Sequence, residues 1–156
     1  MSVYAIYAEA PASEVEWEEL LVRYELGPRA LRAALDDAEE DGAARERVGD
    51  LLRAMVVNEL QVAAAFEAMR NGRPAGGETR IEMISDDPRA AYERYAALRG
   101  RNFAAVQRRG LEVWGWRAES PWKGMVTAHQ LILASTALDA ETLAGVREGL
   151  RGAGAC

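Results

Sequence analysis

The sequence predicts an all-α bundle in a single domain, on three observations. Apolar residues recur at helical spacing in four stretches, caps and breakers divide those stretches, and no run of any length alternates with the period of a strand. No internal repeat is present. With 156 residues, 49% of them apolar, one domain can close a continuous core without help from disulfides or metals.

The elements follow in chain order. After a short segment at 4–6 of undecided form, Ser13 can N-cap a first helix whose apolar positions are Val15, Leu20, Leu21, Tyr24, Leu31 and Leu35. Gly27-Pro28 is expected to kink or interrupt it near Leu26, because proline removes a backbone donor and clashes with the preceding turn. The acidic, glycine-containing run 36–42 ends it. A second helix, about 43–69, carries an apolar stripe at Val48, Leu51, Leu52, Met55, Val62, Phe66 and Met69, and Asn71-Gly72 marks its end. The connection 72–86 is long for a helix–helix turn and contains Pro74, Gly76 and Gly77, so it can carry the chain across the bundle; 79–84 can add a short extended piece.

Asp86 or Asp87 before Pro88 is a helix-start signature. Tyr92, Tyr95, Ala96, Leu98, Phe103 and Val106 give the third helix a buried side to about Arg109, and Gly110 breaks it. A loop with Trp114, Trp116 and Trp122 leads to a fourth helix, about 123–150, with Val126, Ile132, Leu133, Leu143 and Val146.

Charge and cysteine usage exclude several classes. A net charge of -6 opposes nucleic-acid binding, which needs cations to displace counterions from phosphates. Lys123 is the only lysine, and the arginines alternate with acids; the densest spots, Arg99-Gly100-Arg101 and Arg108-Arg109, read as solvated helix faces. Apolar runs fall short of the roughly 20 residues that cross a bilayer. The first residues lack a basic, apolar leader, and the single Cys156 has no partner for a bridge. A cytoplasmic location is expected.

Three blocks carry a family resemblance. Tyr24 and Gly27-Pro28 precede Leu31-Arg32 on the first helix; Ala54 stands five residues before Glu59 on the second; and Leu138-Asp139 through Thr142-Leu143 lies on the last. Taken in this order over about residues 20–150, they resemble the DinB/YfiT-like family. The resemblance implies a DinB-like four-helix bundle with a long crossover between helices 2 and 3, frequently dimeric, whose characterised relatives include metal-dependent thiol transferases and isomerases. It also implies a metal held by three histidines, at the positions filled here by Ala54, Leu138 and Thr142. Alanine and leucine offer no donor atom and threonine only a weak neutral oxygen, so the imidazoles that would bind zinc or nickel are lost. No metal or other cofactor is expected.

Other constellations are weak. Glu59, Asp139 and Glu141 read as a solvated face with one or two inter-helix hydrogen bonds, although a carboxylate site or pocket wall stays open. His129, the sole histidine, reads as a hydrogen-bonded core or surface residue rather than a catalytic one. Trp114, Trp116 and Trp122 can plug one end of the bundle, line a ligand pocket or form a dimer surface. Two functions remain: a bundle that has lost metal catalysis and binds a small apolar ligand or a partner protein, or a thiol-transferase-type enzyme that works without the triad or borrows ligands. A homodimer is expected in either case.

Overall fold

The computed structural model describes residues 3–38, 42–74, 87–120 and 124–154. Four long helices make up most of it: α1 (Glu14–Ala38), α2 (Gly42–Asn71), α3 (Pro88–Gln107) and α4 (Ala128–Gly154). Their ends follow local chemistry. The Ser13 hydroxyl accepts from the Glu16 amide at 3.2 Å, and the Glu16 carboxylate reaches back to the Ala12 amide at 3.1 Å; together they satisfy donors that a helix start leaves free. Asp87 caps α3 through the Ala90 amide at 3.1 Å, with Pro88 following. Gly72 ends α2 in the left-handed region at φ 65°.

Each helix packs on two others: α1 on α3 and α4, and α2 on α3 and α4, with little contact between α1 and α2. Directions can be read from the cross-links. Arg45 at the start of α2 pairs with Asp87 at the start of α3, and Glu59 meets Arg99 and Asn102 further along, so α2 and α3 run parallel. Asp36 pairs with Arg89 while Tyr24 meets Arg99, so α1 and α3 are antiparallel. α3 thus begins beside the start of α2. Residues 75–86, where the expected extended piece falls, lie outside the described residues, as does Trp122.

The first helix continues through Pro28 as one element, and the Tyr24 carbonyl that proline leaves free finds another partner, described below. One expectation is corrected, the absence of strands. A two-stranded antiparallel hairpin, β1 (Arg117–Ser120) and β2 (Gly124–Thr127), follows a 3-10 turn at Gly110–Gly115, so α4 begins at Ala128 rather than near 123. Strands of four residues are too short for alternation to stand out in a sequence.

The core divides into two apolar clusters. One gathers Trp17, Leu20, Phe66, Val106, Trp116 and Ile132 at the end where α4 starts; the other gathers Leu31, Leu35, Leu52, Met55, Tyr92 and Val146. Between them lies a layer of polar and charged side chains.

Candidate functional site

The layer between the clusters draws on all four helices. Arg99 of α3 is its hub and is 1% exposed, which corrects the reading of Arg99-Gly100-Arg101 as a solvated face. Its guanidinium grips Asp139 of α4 with two bonds, Nη1 to Oδ2 at 2.7 Å and Nη2 to Oδ1 at 2.9 Å. Nε donates to Glu59 Oε1 of α2 at 2.8 Å, and Nη2 lies 2.8 Å from the same oxygen. Nη1 also donates to the Tyr24 carbonyl of α1 at 2.8 Å. Four hydrogen bonds and the short Nη2 contact with Glu59 thus engage all three nitrogens of the planar fork. Two aromatic faces complete the enclosure, with the guanidinium carbon 4.2 Å from the Tyr24 ring centre and 5.2 Å from that of Tyr95.

The carboxylates are equally engaged. Glu59, fully buried, also accepts from the Tyr24 hydroxyl at 3.1 Å and from Asn102 Nδ2 at 2.8 Å. Asp139 also accepts from the Tyr95 hydroxyl at 2.6 Å. Glu59 and Asp139 are therefore not the solvated face that the sequence suggested: one arginine holds both.

Gly27-Pro28 explains why Arg99 can reach α1. In an unbroken helix the carbonyl of Tyr24 would accept from the amide of residue 28, four residues on, and proline has no such amide. Arg99 takes the freed carbonyl. One residue earlier, a Cβ on Gly27 would lie 2.2 Å from Asp139 Oδ2 and 3.0 Å from Arg99 Nη1; only glycine lets α4 approach this closely. The Pro28 carbonyl accepts from the Tyr92 hydroxyl at 2.8 Å, docking α3 on the same turn.

Burial sets the titration of this layer. Desolvation raises the pKa of Tyr24 well above its ordinary value, with the Glu59 charge adding to it. Desolvation likewise raises Tyr95, against the pull of Arg99. For Arg99, burial alone would loosen the proton, but hydrogen bonding to Asp139 and the charge of Glu59 outweigh it and raise the pKa.

Asp139 has a second exposure. It is a wall of a half-open cleft of about 480 Å³ between α1 and α4, with Tyr7, Arg23, Gly27, Ala30, Leu133, Thr136, Ala137, Ala140 and Leu143. The lining is mainly apolar, with a few polar groups at fixed places. That composition suits a small organic ligand.

The other site residues expected from the sequence lie elsewhere. Ala54 is exposed on α2. Its neighbour Met55 turns inward, and the buried Thr142 hydroxyl donates to Met55 Sδ at 3.1 Å. Leu138 packs half-buried on the second apolar cluster. None of the three lines the cleft, and an alanine, a leucine and a threonine do not fit a metal ion. Among the described residues, no group of three His, Cys, Asp or Glu side chains could hold one.

His129 lies at the other end of the core, 1% exposed, with Nδ1 2.7 Å from the Ala8 carbonyl and its ring 6.2 Å from that of Trp17. Trp116 packs on Phe66, and Trp114 is half-buried beside the same cluster. Neither tryptophan, nor His129, lines the cleft.

The sequence reading placed none of Arg99, Tyr24, Tyr95, Asn102 and Gly27 in a functional site. A signal existed for two of them: Arg99 and Asn102 fall four and seven residues after Tyr95, on the helix face that Tyr92, Tyr95 and Val106 define. No protein-family model, no curated protein and no solved structure matches the chain.

Proposed function

We propose that this chain is a bundle of the DinB/YfiT-like kind that acts by binding a small, mainly apolar ligand rather than by metal catalysis. The cleft between α1 and α4 carries the reading. Its volume of about 480 Å³ can admit a small organic molecule, and one wall is a carboxylate already oriented by Arg99 and Tyr95. A fixed polar group on an apolar wall orients a ligand without having to be ordered by it. Arg23 and Thr136 supply further polar anchors.

The test blocks the cleft without disturbing the core. Ala30 and Ala140 line it and are exposed, so Ala30→Trp and Ala140→Trp have room on the solvent side. The anionic dye 1-anilinonaphthalene-8-sulfonate, whose sulfonate can meet Arg23, should brighten saturably with the folded wild type and lose most of that response with either variant. An unchanged response in variants with wild-type helicity would contradict the reading. Stoichiometric zinc, nickel, iron or manganese in the purified protein would instead favour the enzyme. Homodimerisation through helix faces belongs to the same proposal, and sedimentation at micromolar concentration tests it.

A further inference from the structure

A second groove lies on the opposite flank of α1, against the end of α3. It has a volume of about 550 Å³, and its floor includes Trp17, Leu21, Phe103 and Val106. Trp17 and Val106 are buried, so the floor is fixed by the core. The walls differ from the floor in being apolar and wet: Val22 is 52% and Leu111 55% exposed. Val15 and Leu26, also exposed, continue the apolar strip along α1. Exposed large apolar side chains are informative when they cluster rather than scatter. Here four of the six found among the described residues line or border one groove.

The charge on the groove has one sign. Glu14, Glu18 and Glu25 all line it. At 100° per residue they fall within about 40° of one another and span about 16 Å of α1, roughly three turns. None of the three makes an ion pair among the described residues. The arginine nearest on α1, Arg23, lines the other cleft. Arg108 and Arg109 at the end of α3 are exposed and outside the lining.

We infer that this groove docks a basic amphipathic helix of a partner protein. Apolar anchors one turn apart on such a helix would lie on Leu21, Val22, Phe103 and Leu111, while its Lys or Arg residues would meet Glu14, Glu18 and Glu25. The charge argues against two other occupants. A second copy related by a two-fold axis would press one row of three carboxylates against the same row, and an anionic membrane surface would be repelled by it.

Fluorescence anisotropy with a labelled Leu/Lys peptide of roughly 18 residues, about five helical turns, provides the test. A permuted peptide of the same composition, without helical periodicity, serves as control. The amphipathic peptide should bind at micromolar concentration and weaken with added salt, since the rim charges are exposed. The triple variant E14Q/E18Q/E25Q should weaken it about tenfold or more, whereas E46Q/E93Q/E148Q, which removes as many exposed charges elsewhere, should not. V22S/L111S, altering only exposed side chains, should also weaken it about tenfold. Equal binding of the permuted peptide, no binding, or equal loss in both Gln triples would overturn the inference. So would a wild-type dimer that V22S/L111S dissolves, since a second copy would then own the groove.

Discussion

The central layer and the aromatic end of the core bury polar atoms under different rules. In the central layer, all three guanidinium nitrogens of Arg99 have acceptors and both carboxylates have several donors. Around the aromatic cluster, His129 Nε2 and Trp114 Nε1 are buried with no partner among the described residues. A buried polar network is costly unless complete, and once complete it admits few alternative arrangements. The two regions thus divide the labour: the aromatic end contributes apolar area, while the central layer fixes the register of four helices at once. Tyr24 and Glu59 link α1 to α2, and Arg99 and Asp139 link α3 to α4, the two helix pairs that pack least directly.

The largest effect should come from breaking the hub. Arg99→Met leaves two buried carboxylates without their cation, and urea unfolding should show a loss of about 3–5 kcal/mol. Arg99→Lys should recover little of it, since an ammonium cannot serve two carboxylates and a carbonyl in one plane. Trp114→Phe, at the aromatic end, should cost under about 1 kcal/mol, because the indole N–H it removes makes no hydrogen bond among the described residues. Similar losses at the two sites would erase the distinction between the regions.

Gly27→Ala should cost about 1–3 kcal/mol by forcing the Asp139 carboxylate away from α1. In an Asp139→Ala background the added methyl meets no carboxylate, so its further cost should fall near zero. Additive losses in that cycle would place the clash elsewhere.

High pH should act through the central layer. Tyr24 and Tyr95 have folded pKa values raised above the ordinary 10.0, chiefly by burial. Their contribution to stability is therefore whole below pH 10.0 and is lost as pH rises beyond it, where the unfolded chain can release the protons. Tyrosinate absorbance from these two residues should appear together with loss of helicity. Ionisation of all five tyrosines in a still-folded protein would contradict the burial argument.

How far the sequence foretold this structure follows from what each residue needed. Ser13, Gly72 and Asp87 act on their own neighbours, so caps and helix ends were legible. Arg99 was not, because an arginine beside Gly100 and Arg101 looks solvated until its partners arrive from 40 residues away on either side. Pro28 was legible only in part: its local chemistry marks a lost amide, and the partner that takes the freed carbonyl lies on another helix. Ala54 illustrates the limit of motif matching. The block containing it sits on the expected helix, yet one residue of rotation separates an exposed Ala54 from the inward Met55. The hairpin escaped notice because four-residue strands carry too little pattern.

Pro28 frees the Tyr24 carbonyl for Arg99, which in turn holds Asp139 in place at the cleft wall. A double-mutant cycle of Pro28→Ala with Arg99→Met measures this coupling. With Arg99 absent, the backbone amide that Pro28→Ala restores should rescue an otherwise orphaned carbonyl. Pro28→Ala should therefore be more stabilising in the Arg99→Met background than in the wild type by about 1–2 kcal/mol. Effects of proline on the unfolded chain cancel in the cycle. If the two substitutions add within about 0.5 kcal/mol, the carbonyl and the guanidinium are energetically independent, and the account of the layer is wrong.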